Sequence, residues 1–309
     1  MSLDQTVVPN GGIVQPAPQP HITQQPVAVP PAGNPLSKFF RQPAIYMSLP
    51  SGGAYWPEGT LDMPPTGELP VYPLTSRDEI TLRTPDALLN GQGVVDVIQS
   101  CVPSIKNAWK MPSTDVDALL LAIRIASYGH SMDFENKCPH CEEEHTYSMD
   151  LRQLAGSIKF PDYDTPTKTH GITVTFRPSN YEELTEINKV NYELTRSNET
   201  VRESTDEELQ RSVMQGTLNR VIELGQDVMA RSTASIMDDS TGTLITEPEY
   251  IREFYKSIDA KLYNALQDSL TATSKEANIK PIPVDCQGCG GPINLTILFD
   301  YSSFFVVGS

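Results

Sequence analysis

Four cysteines stand in two short pairs far apart in the chain, Cys138-Pro-His-Cys141 and Cys286-Gln-Gly-Cys289. A Cys-x-x-Cys turn holds two thiolates on one side of a tight loop, and two such turns complete a tetrahedral shell. Zinc is the usual ion in a four-thiolate shell. Such a shell leaves no open position for water, so the expected role is structural. The second turn runs on into Gly290-Gly291, which frees the backbone to curl and aim amides at the sulfurs. His140, inside the first turn, and His145, just past it, are the other groups that could ligate. Either could replace a cysteine and leave a three-ligand site, but two complete pairs already fill the shell. The pairing requires residues 138–141 and 286–289 to meet in space. Closing so long a loop through one ion removes unfolded-state entropy of roughly 5 kcal/mol, by analogy with disulfide loops.

The elements that must position these cysteines belong to a chain of 309 residues with formal net charge −16 and a pI near 4.7. So acidic a surface repels phosphate, which speaks against DNA, RNA and anionic lipid as partners. The longest apolar run, Ala118 to Ile123, is too short to cross a bilayer. The start of the chain lacks a charged-then-apolar signal pattern. These features point to a soluble protein made in a cytosol. Five cysteines, four of them in metal-type pairs, suit a reducing compartment. The fifth, Cys101, follows Val94, Val95, Val97 and Ile98 and reads as a small buried hydrophobe.

Residues 1–43 contain nine prolines and almost no charge, the composition of an extended arm. Such an arm could lie along a neighbouring subunit, with Phe39 and Phe40 as anchors. Residues 44–151, with 277–309, form the expected core. Short strands are expected at Ile45–Leu49, Glu68–Leu74 and Ile80–Leu82, with a helix starting at Thr84-Pro85-Asp86. A short helix should cover about 94–101. Another, capped by Ser113, should run to Gly129, apolar nearly all round and so central to the core. His130 follows as a helix-end cation. Strands are expected after each cysteine pair, at His145–Leu151 and Pro292–Leu298, which is the plan of a zinc ribbon split by a long insertion.

Within that insertion, residues 152–276, a strand at Gly171–Phe176 follows a hairpin signal at Lys168-Thr-His170. Three amphipathic helices come next, read as an antiparallel bundle. One follows Ser179. One opens on the capping box Thr205-Asp-Glu-Glu208. One starts at Thr246 and Pro248 and carries Ile251, Phe254, Tyr255, Ile258, Leu262, Leu266 and Leu270 on one stripe. Residues 181–208 carry nine acidic and three basic side chains, read as a solvated face. The apolar Phe299–Val307 is either a core strand or a subunit contact. No nucleophile elbow, phosphate loop or HExxH appears, and no convergent catalytic set is visible.

Several runs are similar to those of a known family. They are Leu49-Pro-Ser-Gly-Gly-Ala-Tyr-Trp-Pro-Glu-Gly59, then Val71-Tyr-Pro-Leu-Thr-Ser-Arg-Asp-Glu79 leading into Leu82-Arg-Thr-Pro-Asp-Ala-Leu-Leu-Asn-Gly91. Ser100-Cys-Val-Pro103, Pro112-Ser-Thr-Asp-Val-Asp-Ala-Leu-Leu120 and Ile123-Arg-Ile-Ala-Ser-Tyr-Gly129 follow. Together with the first cysteine pair they resemble the baseplate hub family of T-even-like, contractile-tailed bacteriophages. The resemblance covers about 44–151 and 286–298, leaving out the arm and the insertion. It implies a virion or tail-assembly protein whose partners are other baseplate proteins and copies of itself.

The expectation is therefore an α+β protein: a mixed helical and short-strand core, a split four-cysteine zinc ribbon and an inserted antiparallel helical bundle. Functionally it is a non-enzymatic component of the hub region, with no small-molecule substrate, no membrane and no nucleic acid. The alternative is a chaperone that leaves once the hub has assembled. A zinc-ribbon nucleic-acid binder is a third class, against which the charge speaks.

Overall fold

The computed structural model describes residues 22–23, 34–84, 90–202, 207–275, 280–295 and 305. Helices and small antiparallel sheets alternate along it, making the protein α+β. The first sheet joins β1 (Ile22–Thr23), β2 (Ile45–Met47) and β3 (Leu69–Val71) in that order. Two residues of the proline-rich segment thus pair with β2 of their own chain. Ile45, Met47, Leu69 and Val71 all point inward, the two-residue period of a half-buried sheet.

Helix α1 (Ser76–Leu82) takes up Ile80–Leu82, expected to be a strand. Its start explains the difference. The Thr75 hydroxyl accepts from the Asp78 amide while the Asp78 carboxylate accepts from the Thr75 amide. This reciprocal cap satisfies two amides that a helix end otherwise leaves orphaned. The Thr84-Pro85-Asp86 helix start falls partly outside the described residues, which break off at Thr84. Helix α2 (Gln92–Cys101) follows Gly91, whose φ of 78° suits glycine. A β-carbon there would also stand 2.8 Å from the Thr185 hydroxyl.

Helix α3 (Ser113–Tyr128) is the buried axis of the core. Val116 and every residue from Ala118 to Ile125 are buried on it, as its all-round apolarity requires. Ser113 is the first helical residue rather than the cap; Pro112 holds the cap position. Leu119 and Leu121 of α3 belong to one cluster with Val94, Val97 and Ile98 of α2, the inward face of β2–β3, and Phe305. The described part of the apolar C-terminal run thus enters the main core.

Hairpin β4 (Ser131–Lys137) and β5 (Glu144–Asp150) follows, then helix α4 (Leu151–Ser157), capped by Asp150. Helices predominate beyond it, but a four-stranded antiparallel sheet runs among them. Its order is β6 (Thr167–Thr169), β7 (Ile172–Phe176), β8 (Thr233–Asp238), β9 (Leu244–Ile245). Between β7 and β8 the chain makes a helical excursion, α5 (Tyr181–Arg202) packed on α6 (Glu207–Arg231). Asn180, not Ser179, caps α5, in a reciprocal pair with Glu183. The capping box at Thr205 falls partly outside the described residues.

The expected helix from Thr246 to Leu270 is two helices, α7 (Pro248–Ser257) and α8 (Ala260–Ser274). Asp259 interrupts them: its carboxylate caps α8 by accepting from the Leu262 amide. A second core forms here from Val174, Phe176, Met229, Ile236, Ile251, Tyr255 and Leu266. Hairpin β10 (Ile282–Asp285) and β11 (Pro292–Leu295) closes the described chain before Phe305. Among the described residues no helix is long and apolar enough to cross a membrane.

Candidate metal centre

Each cysteine pair sits at the tip of a hairpin. Residues 138–143 connect β4 to β5 and residues 286–291 connect β10 to β11. The preceding strands, β4 and β10, are not among those the sequence leads one to expect. The two tips share one hydrogen-bond plan. Cys138 N–H donates to the Glu143 carbonyl at 2.9 Å, and Cys286 N–H to the Gly291 carbonyl at 2.8 Å. The Glu142 amide then donates to the Cys138 carbonyl, and the Gly290 amide to the Cys286 carbonyl, both at 2.9 Å. The plan needs a left-handed residue just after the second cysteine. Glu142 adopts φ 60° there and Gly290 φ 70°.

The tips meet. Cys138 Sγ lies 3.8 Å from Cys289 Sγ, and Cys141 Sγ lies 3.7 Å from Cys286 Sγ. All four sulfurs fall within 4.8 Å of one another. A disulfide would need about 2.05 Å, so these are free thiols. Four sulfurs at about 2.3 Å from one ion would stand about 3.8 Å apart at tetrahedral angles. The separations therefore fit a four-thiolate metal, and the donor set fits zinc.

Electrostatics single out one thiolate. Against the Glu143 amide, burial and the neighbouring thiols push Cys141 up to about 12, Cys289 is raised as well, and Cys286 is lowered. The backbone amides of Cys289 and then Gly288 aim at the Cys286 sulfur and bring its pKa down to about 6 against the cost of burial. Cys138 and Cys286 are buried, Cys141 is half-buried and Cys289 is exposed.

Contacts between the hairpins hold the arrangement. His140 Nε2 lies 3.3 Å from the Pro292 carbonyl, and Gln287 Nε2 donates to the Thr146 carbonyl at 3.1 Å. Tyr147 packs with Cys138, Cys286, Ile293 and Leu295, with Met149 and Val284 at the edge. His140 thus spends its ring nitrogen on joining the hairpins. His145 stands with Cys141 and Glu143 in a second group of donor atoms within 4.8 Å. Gly288 makes room for them: a β-carbon there would lie 2.7 Å from Glu143 Oε2 and 2.8 Å from His145 Nε2.

Sequence reasoning misses a buried carboxylate in the main core. By its position Asp115 reads only as a first-turn helix charge, yet it is fully buried. It accepts from the Ser51 amide at 3.0 Å, the Ser51 hydroxyl at 2.5 Å and Trp56 Nε1 at 2.8 Å. Burial pushes its pKa up to about 6 in spite of these donors. Two of the quoted sequence runs, 49–59 and 112–120, are joined through this one side chain.

Cys101 is fully buried, as expected, and burial pushes its thiol up to about 12. His130 is exposed just after the end of α3. A cleft of about 860 Å³ lies among α5, α6 and α7. Some of its charges pair with one another: Arg231 with Glu186 and Asp227, Arg252 with Asp227.

Fold and site together define an α+β protein that gathers four cysteines from distant hairpins. A family model described as T4 bacteriophage base plate protein matches residues 60–306, and the chain belongs to that family. The match runs through 152–276, which the resemblance in the quoted runs does not cover. Comparison with curated proteins and with solved structures finds no match. Membership makes this a structural protein of the phage baseplate, part of the virion tail and in contact with other tail proteins.

Proposed function

We propose that this chain is a non-enzymatic component of the hub region of a contractile-tail baseplate, braced by one structural zinc. Cys138, Cys141, Cys286 and Cys289 are the ligands, and the two hairpins that carry them form a split zinc ribbon. The convergence of four sulfurs within 4.8 Å, with Cys138–Cys289 and Cys141–Cys286 at the tetrahedral separation, carries this reading. The ribbon ties residues 44–151 and 277–309 into one body, from which 152–276 extends as an inserted, mainly helical unit. The α5–α6 pair is the part of that unit closest to a bundle.

The partners are neighbouring baseplate proteins and further copies of the chain, met during assembly in the host cytoplasm. Residues 1–43 are the linking arm. Phe39 is 73% exposed and Phe40 56%, a large apolar surface to leave in water, which supports a role in docking.

Mass spectrometry of purified virions and of infected-cell lysates tests the assignment. The chain should be present in both, with one zinc per copy by elemental analysis of the purified protein. Presence in lysates with absence from virions would make it an assembly chaperone instead.

A further inference from the structure

A zinc ion leaves a four-thiolate cluster doubly negative, and Glu142, Glu143 and Glu144 adjoin it. Thiolate clusters of this kind are steadied by hydrogen-bond donors around the ligands. Two polar side-chain atoms of β5 stand beside it. His145 Nε2 and Tyr147 Oη are both buried and lack hydrogen-bond partners. Leaving buried polar atoms in that condition is costly unless a group that binds them is present.

They are two residues apart on β5 and so share one face of the strand, the face turned to the second hairpin. His145 Nε2 is within 4.8 Å of Cys141 Sγ. The Glu143 carboxylate stands 3.7 Å from the same nitrogen, and both acceptors come into hydrogen-bond range by a small shift of the ring. Tyr147 packs against Cys286 and Cys138. The sulfurs they approach, Cys141 and Cys286, are neighbours at 3.7 Å, one from each hairpin.

We propose that His145 and Tyr147 are positioning residues for the metal centre: His145 donates N–H to the Cys141 thiolate and Tyr147 donates O–H to the Cys286 thiolate. Both act on the seam between the hairpins, where an ion would be lost if the tips parted. The inference rests on the zinc reading and adds that retention of the metal is set from β5 as well as by the cysteines. It also gives Gly288 a reason: any side chain there would push His145 away from the seam.

Zinc transfer from the full-length protein to a chromophoric chelator tests this, with zinc per chain measured first. If the wild type holds no zinc, the four-thiolate reading itself fails. If it holds one, Tyr147→Phe and His145→Ala should still hold one but release it roughly tenfold faster. His145→Gln, which keeps an N–H donor, should recover much of the loss. Tyr147→Phe removes only the hydroxyl, so it tests the donor without emptying the core. Release rates equal to wild type in both single variants would overturn the proposal. So would Cys141→Ser retaining zinc that Cys141→Ser/His145→Ala loses, because His145 would then be a ligand and not a donor.

Discussion

Glu142 and Gly290 hold the same position in the two cysteine turns. Each donates its amide to the carbonyl of the first cysteine, and each has left-handed backbone, φ 60° and φ 70°. Only one of them is the residue type that this conformation favours.

Glu142→Gly should therefore stabilise the protein. The left-handed region costs a residue with a β-carbon roughly 1–2 kcal/mol. The extra freedom of glycine in the unfolded chain takes back about 0.4–1 kcal/mol. A net gain on the order of 1 kcal/mol should appear as a higher Tm in thermal denaturation followed by circular dichroism. Gly290→Ala should lower Tm by a similar step. A fall in Tm for Glu142→Gly, or a rise for Gly290→Ala, would show that the shared turn geometry is wrong.

Removing one ligand has a larger effect. Cys138→Ser should release the metal and lower stability by several kcal/mol, with roughly 5 kcal/mol as the scale for closing so long a loop. Elemental analysis and Tm report the two halves of this expectation. A strong chelator added to the wild type should reproduce the loss of Tm. Unchanged metal content and Tm in the variant would remove the four-thiolate site.

Asp115 should give stability a dependence on acidity. Its folded pKa is raised from 3.8 to about 6 by burial. The folded protein therefore holds that proton more tightly than the unfolded chain does. Stability from this source is fully present below about pH 4 and is lost as pH rises through about 6. At 1.36 kcal/mol per pKa unit the swing is about 3 kcal/mol. The stability of wild type minus that of Asp115→Asn should fall by about that amount between pH 4 and pH 7. A difference independent of pH would mean that Asp115 is ionised alike in both states.

The proline-rich segment should be separable from the core up to a definite point. Arg41 sends one guanidinium nitrogen to the Pro73 carbonyl at 3.0 Å and another to the Ser100 carbonyl at 2.7 Å, with Asp78 at 3.5 Å. A chain lacking residues 1–35 should still fold, losing only the two-residue pairing of β1 on β2 and so a small part of Tm, but enter tails poorly. A chain lacking residues 1–43 should lose more Tm, because Arg41 goes with it. Tail incorporation measured by complementation, beside Tm, separates the two. Normal incorporation of the first deletion would leave the segment without an assembly role.

Much of the centre is legible in the sequence because Cys-x-x-Cys spacing is a local rule with a geometric cause. The pairs at 138–141 and 286–289 announce themselves without reference to the fold. The buried axis α3 is legible too, from its apolar residues on every side. Strands β4 and β10 are not. Ser131–Lys137 has few apolar residues, and its strand character comes from its pairing with β5. The same holds for β8, whose partner β7 lies across the whole α5–α6 excursion. Ile80–Leu82 misleads because β-branched Ile80 and Thr81 outweigh a capping pair at Thr75 and Asp78. Asp115 escapes notice because nothing in a sequence shows that Ser51 and Trp56 will close over it.

The distance between the two cysteine turns has a consequence in time. Cys286 leaves the ribosome 145 residues after Cys141, an interval on the order of 10–30 s at bacterial rates of synthesis. Until then the first turn is an open pair of thiols with half a ligand shell. The nascent chain must build α3 and its surroundings before the second turn exists, and the two hairpins can meet only once residues 286–289 have emerged.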